Sequence, residues 1–225
     1  MKSTNLNELK EVTAGTNVKF LFRHSVRPSL KGVSDSLSIS LTEEGINLAY
    51  EFGKKLPWNI GVVSTSIANR CIQTVEQITK DSCSKHSIIP TEVLTSPAMC
   101  DFELAKQTYS TEGSLKNIAY KLSKKQSLPG FCTIDIVAEK ILDYIFSVGN
   151  VDNSLDLFCT HDFNIVLLLL YLLPSIKSKE LIVENWPDPL EGIFLWGKRF
   201  DLYFSWKGKI VSIHDRVKGQ VQDSA

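Results

Sequence analysis

The residues whose types and spacing promise chemistry appear early in the chain, as Arg23-His24-x-x-Arg27-Pro28. Two guanidiniums beside an imidazole suit an oxyanion, phosphate above all, because arginine offers a rigid fork of donors. Nearby positive charge also lowers the pKa of the histidine. A neutral imidazole is a nucleophile, whereas a protonated one is not. Two further polar groups follow far along the chain, Arg70 and the pair His161-Asp162. His86 and His214 have no such neighbours in the sequence, and neither is assigned a role.

Each of these groups follows an apolar run. Val18 to Phe22 places four large apolar residues in five positions, which reads as a strand buried on both faces of a sheet. Ile60 to Ser64 and Leu155 to Thr160 read the same way, and Ile88 to Leu94 is a weaker strand that Pro90 pushes to a sheet edge. Helical stripes separate the strands. Thr42 caps a helix carrying Ile46, Leu48, Ala49, Phe52 and Leu56, and Pro57 ends it. Ser64 or Ser66 caps the next, with Ile67, Cys71, Val75 and Ile78 on one face. Residues 134–148 and 163–173 give two more helices, and a short one is expected over 3–13. Residues 28–41 form a loop over the site.

Alternating strands and helices of this kind predict a three-layer αβα fold with a mostly parallel sheet. Ile193 to Trp196, Phe200 to Trp206 and Ile210 to Ile213 add an antiparallel hairpin at the carboxyl-terminal edge, turning at Lys207-Gly208. The tail aromatics are expected to be core and cross-strand pairs. The chain reads as one domain, 1–225, with a small cap over about 96–132 that includes a helix around 112–125. Parallel strands bring their carboxyl ends to one rim, so Arg23, His24 and Arg27 should meet Arg70, His161 and Asp162 there.

Composition narrows the partners. The 225 residues carry 25 Lys plus Arg against 25 Asp plus Glu, so no overall field draws the chain to nucleic acid or an anionic membrane. Any preference for anions is therefore local. The N-terminus lacks the apolar stretch of a signal peptide, and the most apolar segment, Phe163 to Leu173, is well short of the ~18 residues of a spanning helix. The five cysteines, Cys71, Cys83, Cys100, Cys132 and Cys159, follow no metal-binding or paired spacing. Free thiols in a reducing cytoplasm are the expectation.

The motifs Arg23-His24-x-x-Arg27-Pro28, Leu41-Thr42-x-x-Gly45, Ser64-x-Ser66-x-x-x-Arg70-x-x-x-Thr74 and His161-Asp162 resemble, in order, those of the histidine phosphatase superfamily. That superfamily contains the phosphoglycerate mutase-like enzymes and the histidine acid phosphatases. Arg27-Pro28 and His161-Asp162 resemble the acid phosphatase branch, while the short chain and Leu41-Thr42-x-x-Gly45 resemble the mutase-like branch. Ser25 stands where the family usually has glycine, which would tighten the backbone near a phosphate.

The resemblance implies a metal-independent phosphomonoesterase with no cofactor and a small-molecule phosphomonoester as substrate. His24 would attack phosphorus and become phosphohistidine, with Arg23, Arg27, Arg70 and His161 around the phosphoryl oxygens. A carboxylic acid would protonate the leaving alkoxide. The acid phosphatase branch points to Asp162 and the mutase-like branch to Glu103. Asp162 is preferred for its place directly after His161, although an aspartate opening an apolar helix is also a natural N-cap; Glu103 is the rival, and is otherwise an ordinary solvated carboxylate. Thr42 and Gly45 are expected to be structural. A phosphoglycerate mutase-like phosphotransferase and an inactive phospho-ligand-binding member are the alternatives. Lys31, Lys106, Lys116 and Lys121 are the cations of the loop and cap that could meet a second anionic group.

Overall fold

The computed structural model describes residues 5–29, 35–82, 85–149, 151–173 and 176–213. Lys31, Cys83, Pro174 and His214 lie outside them. Four parallel strands, β1 (Val18–Arg23), β2 (Asn59–Ser66), β3 (Ile88–Thr91) and β4 (Ser154–Thr160), form one half of a seven-stranded sheet. Three antiparallel strands complete it: β5 (Gly192–Lys198), β6 (Asp201–Trp206) and β7 (Lys209–Ser212). The order across the sheet is β3-β2-β4-β1-β5-β6-β7. Pro90 sits on the outermost parallel strand, where a missing N–H costs nothing. The expected edge hairpin is thus part of a longer meander, joined to the parallel half through β5 and β1. Lys207 and Gly208 close its last turn with φ of 48° and 76°. That is the left-handed pair a two-residue hairpin needs.

Period-two alternation in β1 explains how helices cover both faces. Val18, Phe20 and Phe22 pack with residues of α1 (Leu6–Val12), α2 (Glu43–Gly53) and α3 (Asn69–Ile78). Leu21 points the other way, into the larger core. That core is built with α4 (Phe102–Glu112), α5 (Leu115–Ser123), α6 (Ile134–Ser147), α7 (Asp162–Leu172) and α8 (Ile176–Glu184). The long apolar run is α7. It is buried on every side, as a helix without a polar stripe must be. Among the described residues no helix is long and apolar enough to cross a membrane.

Residues 96–132 hold two helices where one was expected. Gly113, in the left-handed conformation, ends α4, and Ser114 caps α5. The apolar face of α5, Ile118, Ala119 and Leu122, shares the core with α6 and α7. Helix α8 was not anticipated. The predicted strand over 88–94 stops at Thr91, and Glu92–Leu94 forms a 3₁₀ turn whose Leu94 is buried.

Two close approaches fix the rim that matters. The Thr42 N–H donates to the Val26 carbonyl at 3.0 Å, and the Gly45 N–H donates to Thr42 Oγ1 at 3.0 Å. A Cβ on Gly45 would lie 2.1 Å from Val26 O. Leu41-Thr42-x-x-Gly45 is therefore a docking motif that seats the start of α2 against the segment after β1. At the opposite end of the strands, Lys19 is buried and ion-paired to Asp156 at 3.1 Å.

Candidate active site

Because β1, β4 and β2 are parallel neighbours, Arg23 lies in register with Thr160, and β2 runs alongside to end at Ser66. The residues just beyond these ends share one rim. The His24 N–H donates to Thr160 O at 3.0 Å, which locks the segment after β1 to the end of β4. His24 is 3% exposed. Its Nδ1 lies 2.7 Å from the Ser25 carbonyl, which can only accept, so Nδ1 carries the proton and Nε2 the lone pair. Burial, aided by the charges of His161 and Arg70, pushes the pKa of His24 down to about 4. Cys71 and the Ser25 carbonyl oppose that shift without reversing it.

Ser25 does not crowd the site. Its hydroxyl turns away and donates to Gly45 O at 2.7 Å, while its N–H donates to Thr74 Oγ1 at 3.0 Å. Thr74 is the last residue of the Arg70-x-x-x-Thr74 motif, and its own hydroxyl donates to Arg70 O. The motif thus ties α3 to the histidine segment.

Arg70 stands between the two histidines. Its Nε donates to His24 Nε2 at 3.2 Å, its Nη2 lies 3.3 Å from His161 Nδ1, and its Nη1 donates to Ser36 O. Ser36 belongs to the described part of the loop expected over the site. The two imidazoles meet edge to face, with ring centroids 5.5 Å apart. His161 Nε2 is 3.0 Å from Ser66 Oγ. Both nitrogens of His161 are thus engaged within the protein.

Arg23 donates to Pro187 O at 2.7 Å and pairs with Asp162 at 3.3 Å. Arg27 donates to Pro28 O. The Nε groups of both arginines are buried with no acceptor. Burial, and next the charge of Arg70, lowers the pKa of Arg27. Such guanidiniums remain charged all the same. Like charges packed together with unmet donors are what an oxyanion relieves.

Asp162 opens α7 as its first helical residue, with His161 at the N-cap position, so it is not the side-chain cap the sequence offered. Its Oδ1 accepts from the Phe163 N–H at 2.8 Å. Burial alone would raise its pKa. Arg23, the Trp186 side chain and the Phe163 N–H outweigh burial and hold the carboxyl below its ordinary value. Glu103 is exposed in the first turn of α4 and shares no bond or ion pair with the cluster.

Sequence reasoning placed Arg23, His24, Arg27, Arg70, His161 and Asp162 at one rim, and the structure brings these six together. Sequence reasoning missed Trp186, whose side chain bonds to Asp162, and Thr95, whose hydroxyl lies 3.1 Å from Ser66 Oγ. Neither expected serine caps α3, whose N-cap is Ala68 without a side-chain bond. Ser64 donates to Ile89 O, and Ser66 faces His161.

No protein-family model matches the chain, and no curated protein sequence is similar to it. Solved structures do resemble it. "Mycobacterial hydrolase 1" superposes with a TM-score of 0.58 at 16% identity, covering 84% of this chain and 97% of that one. A mycobacterial glucosyl-3-phosphoglycerate phosphatase gives 0.57 at 15% identity, covering 85% and 99%. Bacillus stearothermophilus YhfR gives 0.57 at 17% identity, covering 88% and 100%. The likeness shows the fold, which this chain shares with these structures.

Proposed function

We propose that the protein is a phosphatase that hydrolyses a small phosphomonoester through a covalent phosphohistidine on His24. One observation carries the reading. The Nε2 lone pair of a buried histidine, held unprotonated, faces Arg70 beside two arginines whose Nε donors have no acceptor.

The substrate phosphoryl group enters among Arg23, Arg27 and Arg70 and takes Arg70 Nε away from His24. The freed Nε2 attacks phosphorus in line. The P–N bond forms as the P–O bond to the leaving group breaks, and guanidinium charge stabilises the equatorial oxygens. The leaving alkoxide takes a proton from Asp162. Water then attacks phosphorus and gives a proton to the Asp162 carboxylate, the P–N bond breaks, and inorganic phosphate leaves as the His24 lone pair and the Asp162 acid are restored. His161 serves here by fixing Arg70 rather than by donating to the phosphoryl group, since Arg70 and Ser66 already occupy its nitrogens. Asp162 is preferred to Glu103 as the acid because it belongs to the cluster and Glu103 does not.

The fold neighbours include a phosphatase of a sugar-linked phosphoglycerate, which agrees with a small phosphate ester as substrate. Cys71, Cys100, Cys132 and Cys159 are free thiols, in keeping with the cytoplasm. Release of phosphate from an aryl phosphate, with and without chelator, tests the mechanism in wild type and His24→Ala. Wild-type turnover indifferent to chelator and lost in the variant is expected. Activity that needs a metal, or that survives His24→Ala, would overturn it.

A further inference from the structure

We infer that Ser66 and Thr95 are positioning residues: a one-directional relay of hydroxyls from His161 through Ser66 to Thr95 holds Arg70 in place. This inference deepens the phosphohistidine reading and rests on it for its effect on turnover.

The direction follows from counting protons. A guanidinium has no acceptor, so at the 3.3 Å contact Arg70 Nη2 donates and His161 Nδ1 accepts. A neutral His161 then carries its proton on Nε2 and donates it to Ser66 Oγ at 3.0 Å. Ser66 Oγ also accepts from the Ala68 N–H at 3.2 Å, and it donates its own proton to Thr95 Oγ1 at 3.1 Å. Thr95 Oγ1 accepts from the Ile67 N–H at 3.1 Å and donates to Thr91 O at 2.9 Å. Every hydroxyl has one proton and every proton one acceptor, so the chain runs Arg70, His161, Ser66, Thr95, Thr91 without a free end. Reversing one link would set two donors or two lone pairs against each other in a buried site.

The fold holds this relay rigidly. Ser66 is 0% and Thr95 6% exposed. Thr95 follows the 3₁₀ turn Glu92–Leu94, which is clamped to β4 and α7. Thr160 Oγ1 donates to Leu94 O at 2.6 Å, and the Asn164 amide reaches Leu94 O and Thr95 O at 3.3 Å each. Asn164 lies on α7 less than a turn beyond His161, so one helix start carries both the imidazole and the group that fixes its relay. Outer partners that orient a histidine change activity by about 10- to 100-fold when removed in metal sites, and the same geometric logic applies here.

The test uses the full chain and two variants, Ser66→Ala and Thr95→Val, with thermal melts as the folding control. Nitrogen-15 NMR of the histidine side chains reads the tautomer without needing turnover. Wild-type His161 is expected as the Nε2–H form, with mixed tautomers in Ser66→Ala. For aryl phosphate hydrolysis, Ser66→Ala should lower kcat by about 10- to 100-fold with KM little changed, and Thr95→Val should do so less. A wild-type His161 protonated at Nδ1, or a folded Ser66→Ala with wild-type kcat, would overturn the relay. If wild type hydrolyses no phosphoester, the catalytic reading fails, and the tautomer measurement alone decides the relay: Nε2–H in wild type, lost in Ser66→Ala, upholds it, and any other pattern overturns it.

Discussion

The protonation of His24 can be tested without knowing the substrate. An ordinary histidine titrates near 6.5, and burial brings His24 down to about 4. At pH 5 an ordinary imidazole is about 3% neutral, whereas His24 would be about 90% neutral, roughly a thirty-fold difference in competent nucleophile. The same shift is a statement about folding. Between the two values the unfolded chain binds a proton that the folded chain does not, so stability falls as pH drops through this window. The loss approaches about 3 kcal/mol at the bottom of the window, from 1.36 kcal/mol per unit. At pH 4.5 it should be about 2–3 kcal/mol relative to pH 8.

The assay is urea denaturation of wild type and His24→Gln at pH 8 and 4.5. The variant lacks this titration but keeps Asp162 and every other carboxyl, so their effects cancel in the comparison. Wild type should lose about 2–3 kcal/mol more than the variant on acidification. Nitrogen-15 NMR should show His24 as the Nδ1–H tautomer, fixed by the Ser25 carbonyl, and still neutral at pH 5. A titration near 6.5, equal acid losses in both proteins, or a proton on Nε2 would refute the assignment of Nε2 as a standing nucleophile.

Substitutions at three other places have definite outcomes. Gly45→Ala sets a methyl 2.1 Å from the Val26 carbonyl and should cost about 1–3 kcal/mol of unfolding free energy by urea denaturation, with turnover falling as the His24 segment shifts. Lys19→Met leaves Asp156 buried without its counter-charge and should cost about 3–5 kcal/mol, whereas adding Asp156→Leu should recover only part of the loss, because the Val62 N–H then loses its acceptor. Asp162→Asn should slow alkyl phosphates far more than aryl phosphates, because an aryl oxide hardly needs a proton, and Glu103→Gln should slow neither. Reversal of that pattern would move the acid to Glu103.

Much of this architecture was legible because period and punctuation agree. Val18 to Phe22 and Leu155 to Thr160 are apolar on both faces, and a strand of that kind belongs in the middle of a covered sheet. Once those strands are parallel, His24 and His161 must share a rim, and Arg70 follows the neighbouring strand. What stayed hidden depends on partners distant in sequence. Lys19 interrupts an apolar run, and Asp156, 137 positions away, together with the Val148 and Gly149 carbonyls, explains why it can be buried. Ser66 looked like a helix cap because serine before a helix usually is one, and its real partner is an imidazole 95 residues on. Glu92 to Leu94 kept the composition of a strand, yet the chain turns there to bring Thr95 under Ser66. Ser25, which looked like an obstruction, is harmless because its hydroxyl finds the Gly45 carbonyl.

The pairing of Arg23 with Asp162 sets one further constraint on catalysis. A general acid must hold a proton when the leaving group departs, yet in the free protein Arg23, Trp186 and the Phe163 N–H keep Asp162 ionised. The same guanidinium has a buried Nε donor with no acceptor, which the proposed mechanism assigns to the phosphoryl group. A bound phosphoryl dianion draws on Arg23 and places negative charge beside Asp162, and both effects raise the proton affinity of the carboxyl. On the proposed mechanism, Asp162 becomes an acid only when an ester is bound. Inorganic phosphate, as the product, should therefore raise the Asp162 titration seen by carbon-13 NMR of the carboxyl. In Arg23→Gln the free protein should already show most of that rise, and phosphate should add less. An Asp162 carboxyl indifferent both to phosphate and to Arg23→Gln would exclude it as the proton donor.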